Sequence, residues 1–295
     1  MKVATRNDHF FRPKLMRASD LNTYVVLVKL DGKDTFFDPG SAFTPFAMLP
    51  WSETGAPGLK LDKDGGSWVT TTIPESSASQ ITRKADLKMT LEGSLEGKLV
   101  VTYSGLEASW RRLEERHEDE THRKKFLEDD VKSTIPAGVE AELTNKPDWS
   151  SSAATLVAEF DLKVPGWVSG AGRRALVSVG LFGAVEKHTC ELTTRVHPLY
   201  YRFLSEKVDD IRIQLPLGWQ ISSLPKPLVN DAKLIFYSLK IQDDKGTLHL
   251  ERRLRSDLLS LEQKYYPALR NFYQNVRSGD EQQIVLQPGG AVATN

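Results

Sequence analysis

Apolar and polar residues alternate along much of this chain, which is the pattern of half-buried β-strands. The alternation is clearest in residues 79–91, where Leu87, Met89 and Leu91 are interleaved with charged or polar residues. Similar runs recur between short stretches rich in turn-forming residues, so most of the chain is predicted to be β. Besides 79–91, strands are predicted at 68–73, 98–103, 139–144, 155–164, 175–179, 189–196, 199–204, 210–214, 219–222, 234–241, 247–254 and 284–286.

The opening of the chain predicts a β-hairpin. Two β-rich runs, 23–30 and 34–37, flank Asp31-Gly32, and Gly tolerates the positive φ that a tight turn requires. Residues 41–66 are rich in Pro, Gly and aromatic side chains, so they are predicted to form a long ordered loop.

Helical spacing appears in two places. One long helix is predicted at about 106–133, either continuous or broken in its densely charged middle, where opposite charges recur at i,i+4. A C-terminal helix is predicted at about 261–277, because Tyr265, Leu269, Phe272 and Val276 share one face. The predicted fold is therefore mainly β, with two β-sandwich-like domains, the long helix and the C-terminal helix.

The loop at 165–172 is a predicted domain boundary, since it is rich in glycine. Together with the end of the opening loop at residue 66, this boundary divides the chain into three predicted units. They are an opening unit at 1–66, a β-domain with the long helix at 67–168, and a C-terminal β-domain with a helix at 173–288.

Composition narrows the classes of function. The 295 residues contain 39 Lys plus Arg and 39 Asp plus Glu, and this balance argues against nucleic-acid binding. No apolar run is long enough to span a membrane, and the N-terminus lacks the apolar block of a signal peptide. We therefore expect the chain as expressed to be cytoplasmic, or else to be a fragment that lacks its export signal. The single cysteine excludes an intrachain disulfide framework.

Two short patterns resemble cofactor-binding motifs but lack the residue spacing or the neighbouring elements that those motifs require. His117 and His122 are five residues apart, which points their rings about 140° apart around a helix, whereas a zinc-binding pair needs i,i+4 spacing. The G-x-G-x-x-A run at 170–175 precedes a predicted strand instead of the helix that a dinucleotide site requires. No metal and no cofactor are predicted.

Two weak catalytic candidates remain. On the strand predicted at 189–196, Cys190 would share a face with the preceding His188, and His197 is close in sequence, so a thiol–imidazole contact is one reading. The other reading is that Cys190 is a small buried residue. Ser223 and Lys226 match S-x-x-K, but an intervening proline argues against the helix that would aim the lysine at the serine.

Several short stretches resemble transglutaminase-like bacterial proteins, in the branch that carries a β-sandwich domain of unknown function ahead of the catalytic core. The stretches similar to the end of that core are L-D-G-K at 30–33, F-D-P at 37–39, P-F at 45–46 and L-P-W at 49–51. Those similar to the C-terminal β-domain of the same proteins are L-P-L-G-W at 215–219, L-P at 224–225, Y-Y-P-A-L-R-N-F at 265–272 and Q-I-V-L at 283–286.

The resemblance implies a papain-like triad of cysteine, histidine and aspartate, of which this chain retains one member. Asp38 matches the aspartate, the histidine position falls at about Asn22-Thr23, and the cysteine would lie before Met1. Because triad members act as a unit, the activity of the family is not expected here. Asp38 is instead expected to cap the turn before Pro39.

The predicted function is a non-catalytic β-sandwich accessory or interaction module. Its expected contact surface comprises Phe43, Phe46, Trp51 and Trp167, with core packing as the alternative role for these rings. The open edge of the N-terminal hairpin predicts packing on the following β-domain, self-association, or a protein partner. The resemblance implies the bacterial envelope, as a periplasmic setting. The alternative function is a metal-independent ester or phosphoester hydrolase whose site no motif reveals.

Overall fold

The computed structural model describes residues 1–7, 17–63, 65–135 and 138–288. Residues 8–16 and 64 of the predicted opening unit lie outside the described residues. The fold is mainly β, which confirms the predicted class.

In the described part of the chain the strands are β1 (Lys2–Val3), β2 (Thr23–Tyr24), β3 (Val26–Leu30), β4 (Lys33–Phe37), β5 (Pro57–Asp62), β6 (Gly65–Thr70), β7 (Gln80–Met89), β8 (Leu95–Tyr103), β9 (Glu140–Leu143), β10 (Leu156–Val164), β11 (Val168–Ala171), β12 (Arg174–Ser178), β13 (Leu199–Tyr200), β14 (Ser205–Gln214), β15 (Trp219–Ser223), β16 (Leu228–Asp231), β17 (Ile235–Asp244), β18 (Thr247–Ser256), β19 (Ser260–Leu261) and β20 (Gln283–Pro288). The helices are α1 (Gly105–Glu114), α2 (Glu120–Thr134), α3 (Ala184–Lys187) and α4 (Tyr266–Asp280).

The body of the protein is an eight-stranded sheet in the order β16-β17-β18-β14-β7-β8-β10-β9. Its central pair is parallel: β7 lies beside β14 from Gln80 opposite Glu206 to Lys88 opposite Gln214. The sheet therefore runs across the boundary predicted at 165–172. The physical reason is that β7 would have an open edge if the sheet ended with the first domain, and β14 satisfies that edge.

A second sheet, in the order β11-β12-β20-β15, shares a hydrophobic core with the first. Its Val177 and Ile284 belong to the same buried cluster as Leu250 of β18. Helix α4 is amphipathic, and its apolar face, which includes Leu269 and Val276, packs into this cluster. Although 67–168 and 173–288 were predicted as separate units, their apolar faces are packed together.

The predicted long helix is broken, which was one of the two forms expected. Helix α1 ends at Glu114, and α2 begins at Glu120 because the Asp119 carboxylate accepts a hydrogen bond from the backbone N–H of His122 at 2.8 Å. The C-terminal helix α4 begins later than the predicted residue 261, since a 3-10 turn at Gln263–Tyr265 precedes it.

The N-terminal unit consists of the sheet β2-β1-β5-β6 and the hairpin β3-β4. Asp31 and Gly32 have φ values of 49° and 78°, as the predicted hairpin turn requires. The loop predicted at 41–66 is wrong in its second half, because β5 and the start of β6 pair there as a second hairpin. The unit has a small core of its own, formed by Val3, Val25, Phe36, Leu49 and Ala56.

Four further strands, β1, β11, β16 and β19, fall in stretches predicted to be loops or left without a strand. Strand β11 pairs with β12, and the short β16 pairs with β17 at the edge of the large sheet. The strand predicted at 199–204 is only the two-residue β13. Neither β11 nor β16 exceeds four residues, so neither provides enough alternation to be recognised from the sequence.

Candidate functional site

The end of the N-terminal hairpin brings together the positions at which the resemblance places a histidine and an aspartate. Thr23 lies in β2, Asp38 follows β4, and Glu53 ends a 3-10 turn at Trp51–Glu53. The Thr23 hydroxyl donates a hydrogen bond to Glu53 Oε1 at 3.4 Å. The Asp38 carboxyl interacts with that of Glu53. The site is therefore a pair of carboxyl groups with a hydroxyl, and it contains no imidazole among its described residues.

Glu53 is the perturbed group of this site. Its side chain is 5% exposed, and its Oε2 atom has no hydrogen-bond donor among the described residues. Burial raises the pKa of Glu53 to about 7, with the charge of Asp38 and a hydrogen bond to that carboxyl adding to the rise and the Thr23 bond opposing it. Near neutral pH Glu53 is therefore protonated for part of the time.

Asp38 also has the local role that was expected of it. Its Oδ1 accepts a hydrogen bond from the backbone N–H of Gly40 at 2.9 Å, which stabilises the turn around Pro39. A carboxylate that caps its own turn and faces a second carboxyl has no base to orient. The three side chains can exchange a proton with solvent or bind a hydrogen-bond donor, but they cannot activate a thiol as a triad does.

Beside this site, the N-terminal unit is joined to the body through Arg6. Its buried guanidinium donates to the carbonyl oxygens of Trp51 and Thr54, both at 2.6 Å, and to that of Arg202 at 2.7 Å. A weaker bond reaches the carbonyl of Tyr201 at 3.4 Å. Burial lowers the pKa of Arg6 to about 10, so the group remains charged at neutral pH.

Arg6 is also the first member of an alternating stack of guanidinium and aromatic groups, which we call the cation–π ladder. Its Cζ lies 5.9 Å from the centroid of Trp51, and Arg202 Cζ lies 5.7 Å from the same ring. Arg202 is in turn 5.5 Å from Trp110 of α1. These separations are within the range of cation–π attraction.

The ladder continues into the core of the body. Arg111 Cζ lies 4.9 Å from the Trp110 ring and 3.9 Å from the ring of Tyr103, which is buried in β8. Arg111 also pairs with Glu107 at 2.6 Å and with Asp130 of α2 at 3.0 Å. The ladder thus extends without interruption from the first residues of the chain to the central sheet.

The four aromatic residues of the expected contact surface lie in different settings. Phe46 is 78% exposed, with its ring centroid 5.2 Å from that of Phe37, whereas Phe43 is half-buried. Trp51 is half-buried in the ladder. Trp167 packs against the main core, and its Nε1–H donates to the carbonyl of Ser178 at 3.1 Å. They do not form one surface, and core packing accounts for Trp167.

The strand predicted at 189–196 is absent, so the geometry expected for Cys190 and His188 is wrong. The short helix α3 ends at Lys187, and Cys190 follows in a turn with a φ of 59°. Cys190 is half-buried, and burial raises the pKa of its thiol, which disfavours the reactive thiolate. The ring of His188 interacts with Glu191 at 2.7 Å, and His197 is exposed.

The structure does not bring Ser223 and Lys226, the second catalytic candidate, into a catalytic arrangement. Ser223 is the last residue of β15, and Lys226 lies in the irregular stretch beyond it. Both side chains are exposed, and no helix between them aims the lysine at the serine.

A buried charge network on one face of the large sheet was not predicted from the sequence. Arg83 of β7 pairs with Asp209 of β14 at 2.6 Å, and Arg252 of β18 forms two bonds of 2.8 Å with Asp280 of α4. Burial alone would raise the pKa of Glu186, but Lys207, Arg252 and Arg83 lower it to about 2. The signal was available, because Arg83, Asp209 and Arg252 are in phase with the buried apolar residues of their strands.

Comparison with known proteins identifies one matching family. Its model, DUF3858, is described as a Domain of Unknown Function with solved-structure structure, and it matches residues 173–286. That range begins where the C-terminal unit was predicted to begin. No curated protein sequence matches the chain.

A solved structure also aligns with most of the chain. It is the 2.00 Å crystal structure of a putative protease from Parabacteroides distasonis ATCC 8503, with 10% sequence identity and a TM-score of 0.43. The alignment covers 89% of this chain and 35% of that one, so the chain spans about a third of that protein's length.

The described residues contain no helix long and apolar enough to cross a membrane. Within the same ranges, no group of three or more His, Cys, Asp or Glu side chains is arranged to hold a metal ion.

Proposed function

We propose that this chain is a non-catalytic accessory or interaction module related to transglutaminase-like proteins. The observation that supports the proposal is the Thr23–Asp38–Glu53 cluster. A hydroxyl and a second carboxyl stand around Asp38, where the related enzymes would need an imidazole. Acyl transfer through a thiolate requires that imidazole as the base, so the remaining aspartate supports no such reaction.

The proposed contact surface is on the outside of the N-terminal unit. Tyr24, Val26 and Leu61 are 71%, 47% and 72% exposed, although the residue between the first two, Val25, is buried. We call Tyr24, Val26 and Leu61 the N-terminal outer face. Exposed apolar groups of this size on β2, β3 and β5 of one small unit favour a protein contact.

The backbone of the same unit offers a second means of association. Within the described residues, β3 pairs only with β4, so each strand of this hairpin has one open edge. Open edges can pair with a strand of another chain. We propose that a protein partner, or a second copy of this chain, binds here. The resemblance favours the bacterial envelope as the setting.

Light scattering coupled to size-exclusion chromatography tests the interaction half of the proposal. We expect the mass of the wild-type chain to rise with concentration, and the double variant Tyr24→Ser/Leu61→Ser to remain a monomer. Leu217→Ser is the matched control, because Leu217 is fully exposed elsewhere on the protein. A wild-type chain that stays monomeric, with residues 1–50 resistant to protease, would exclude self-association and leave only a partner protein.

The rival function is a metal-independent ester or phosphoester hydrolase. One observation favours it: a carboxyl group with a pKa near neutrality can act as a general acid or base, and the pKa of Glu53 is raised to about 7. Against it, Glu53 Oε2 is shielded from solvent.

Turnover of 4-nitrophenyl acetate and 4-nitrophenyl phosphate distinguishes the two functions. The non-catalytic proposal expects no turnover above the blank. Activity in the wild type that disappears in Glu53→Gln, Cys190→Ala or Ser223→Ala would overturn it and identify the site at once.

A further inference from the structure

A cavity of about 430 Å³ lies where β7, β8 and β14 meet the three helices α1, α2 and α3. Its volume is in the range of sites that enclose small molecules. Apolar side chains, including Val101, Trp110, Val131 and Phe203, line much of its wall. The cavity is separate from the N-terminal outer face, so an inference about it is independent of the proposed function.

Four cationic side chains line the cavity, and three of them have carboxylate partners in the described ranges. Arg111 is held by Glu107 at 2.6 Å and Asp130 at 3.0 Å, and the Tyr103 hydroxyl donates to the same Asp130 oxygen at 2.8 Å. The other two partnered cations are Arg83, 2.6 Å from Asp209, and Lys207, 2.6 Å from Glu186.

Arg202 is the fourth cation, and it has no ion-pair partner within the part of the chain that the structure describes. Its guanidinium is held between the rings of Trp51 and Trp110 in the cation–π ladder. Both rings lie within cation–π range of the guanidinium, which is exposed and has five N–H donors for hydrogen bonds. The cavity wall therefore carries one positive charge that is positioned in advance and not neutralised.

We propose that this cavity binds a small organic monoanion, namely a carboxylate with an aromatic or branched apolar body. The carboxylate is held by the guanidinium edge of Arg202, since planar carboxylate and guanidinium groups form paired hydrogen bonds. The apolar body lies against Trp110 and Phe203. A more highly charged ligand is disfavoured, because Glu107 and Asp130 also line the cavity and would repel it.

Calorimetric titration of the intact chain with phenylacetate, and separately with the neutral phenylacetamide, tests the charge requirement. We expect phenylacetate to bind at least tenfold more tightly, because only its charged group gains a charge-assisted bond. Arg202→Gln should weaken phenylacetate about tenfold and leave phenylacetamide unchanged. Arg174→Gln, the same change at an exposed arginine of β12, should alter neither affinity.

A second variant is needed because Arg202→Gln also removes a member of the cation–π ladder, and the resulting loss of stability could itself weaken binding. Val185→Trp fills the cavity from an exposed position on α3 and leaves the ladder and the ion pairs in place. It should abolish phenylacetate binding while the far-ultraviolet circular dichroism stays that of the wild type.

Nuclear magnetic resonance locates the bound ligand. The indole N–H signal of Trp110 should shift during the phenylacetate titration, and that of Trp219, which does not line the cavity, should not. Three results would each overturn the proposal: equal affinities for phenylacetate and phenylacetamide, undiminished binding to Val185→Trp, or no heat and no shift at about 10 mM ligand.

Discussion

Replacing Glu53 by glutamine should remove a pH dependence of stability that the wild-type chain shows between pH 5 and 8. The wild-type carboxyl is 5% exposed and faces Asp38, which together raise its pKa from 4.5 to about 7. Glutamine has nearly the same shape and cannot ionise, so the variant retains the packing but carries no charge at any pH.

The sign follows from proton binding. The folded chain holds the proton of Glu53 more tightly than the unfolded chain, so unfolding releases a proton between pH 4.5 and about 7. Stability therefore falls as the pH rises through that window, and the penalty is complete above it. With about 1.4 kcal/mol per pKa unit, the decrease between pH 5 and pH 8 is about 2 to 3 kcal/mol.

Urea denaturation, followed by tryptophan fluorescence at half-unit steps from pH 5 to 8, measures this effect. The histidines titrate in the same range, so the diagnostic quantity is the difference between the wild type and Glu53→Gln at each pH. Glu75→Gln is the matched control, because Glu75 is exposed. If the wild-type and Glu53→Gln free energies run parallel across the range, Glu53 is ionised in the folded chain and the argument about the carboxyl pair is wrong.

Three further predictions concern the ion pairs and the attachment of the N-terminal unit. Arg252→Met should cost about 3 to 5 kcal/mol of unfolding free energy, because it leaves Asp280 buried without its partner. Lys240→Met, at an exposed ion pair, should cost less than about 1 kcal/mol in the same urea titration. The wild-type chain should lose stability as the pH falls from about 4.5 to about 2, because the Glu186 carboxylate has a depressed pKa and stabilises the folded state above that window. In Glu186→Gln this loss should be smaller, as measured by acid titration of circular dichroism. Arg6→Ala should speed proteolysis within the N-terminal unit while the circular dichroism of the large sheet is unchanged. If the variant and the wild type are cleaved at equal rates, the hydrogen bonds of Arg6 do not hold the unit.

The sequence predicts the elements of this fold better than it predicts their partners. Alternation identifies β7 and β14 because each strand has one buried face, and Asp31-Gly32 identifies its hairpin because the turn requires positive φ. Nothing in either strand's own pattern says that β7 and β14 are neighbours, since 126 residues separate Arg83 from Asp209. The boundary at 165–172 was inferred from local composition, which contains no information about pairing across it.

The candidate site shows the same limit. Asp38 and the histidine position could be found by resemblance, but Glu53 could not, because it is one glutamate in a stretch predicted to be a loop. Its importance comes from burial and from the approach of Asp38, and both arise only when the hairpin folds against the turn at Trp51–Glu53. The strand expected around Cys190 failed for a related reason. The composition there favours a strand, but helix α3 precedes it and the turn that follows is bound to α4, where Arg277 donates a hydrogen bond to the carbonyl of Thr189.

These observations change how the opening unit of the chain should be understood. A lone two-stranded hairpin is marginally stable in water, but the hairpin β3-β4 shares a small core with the sheet β2-β1-β5-β6. Here Arg6 bonds to backbone carbonyls of both the unit and the body, and the ladder continues that connection through Arg202 into α1. The outer face of the unit is consequently presented from a fixed position. A binding surface gains affinity when it is ordered before its partner arrives, because less conformational entropy is lost on association. This rigid attachment would therefore favour the binding role that we propose for the outer face of the N-terminal unit.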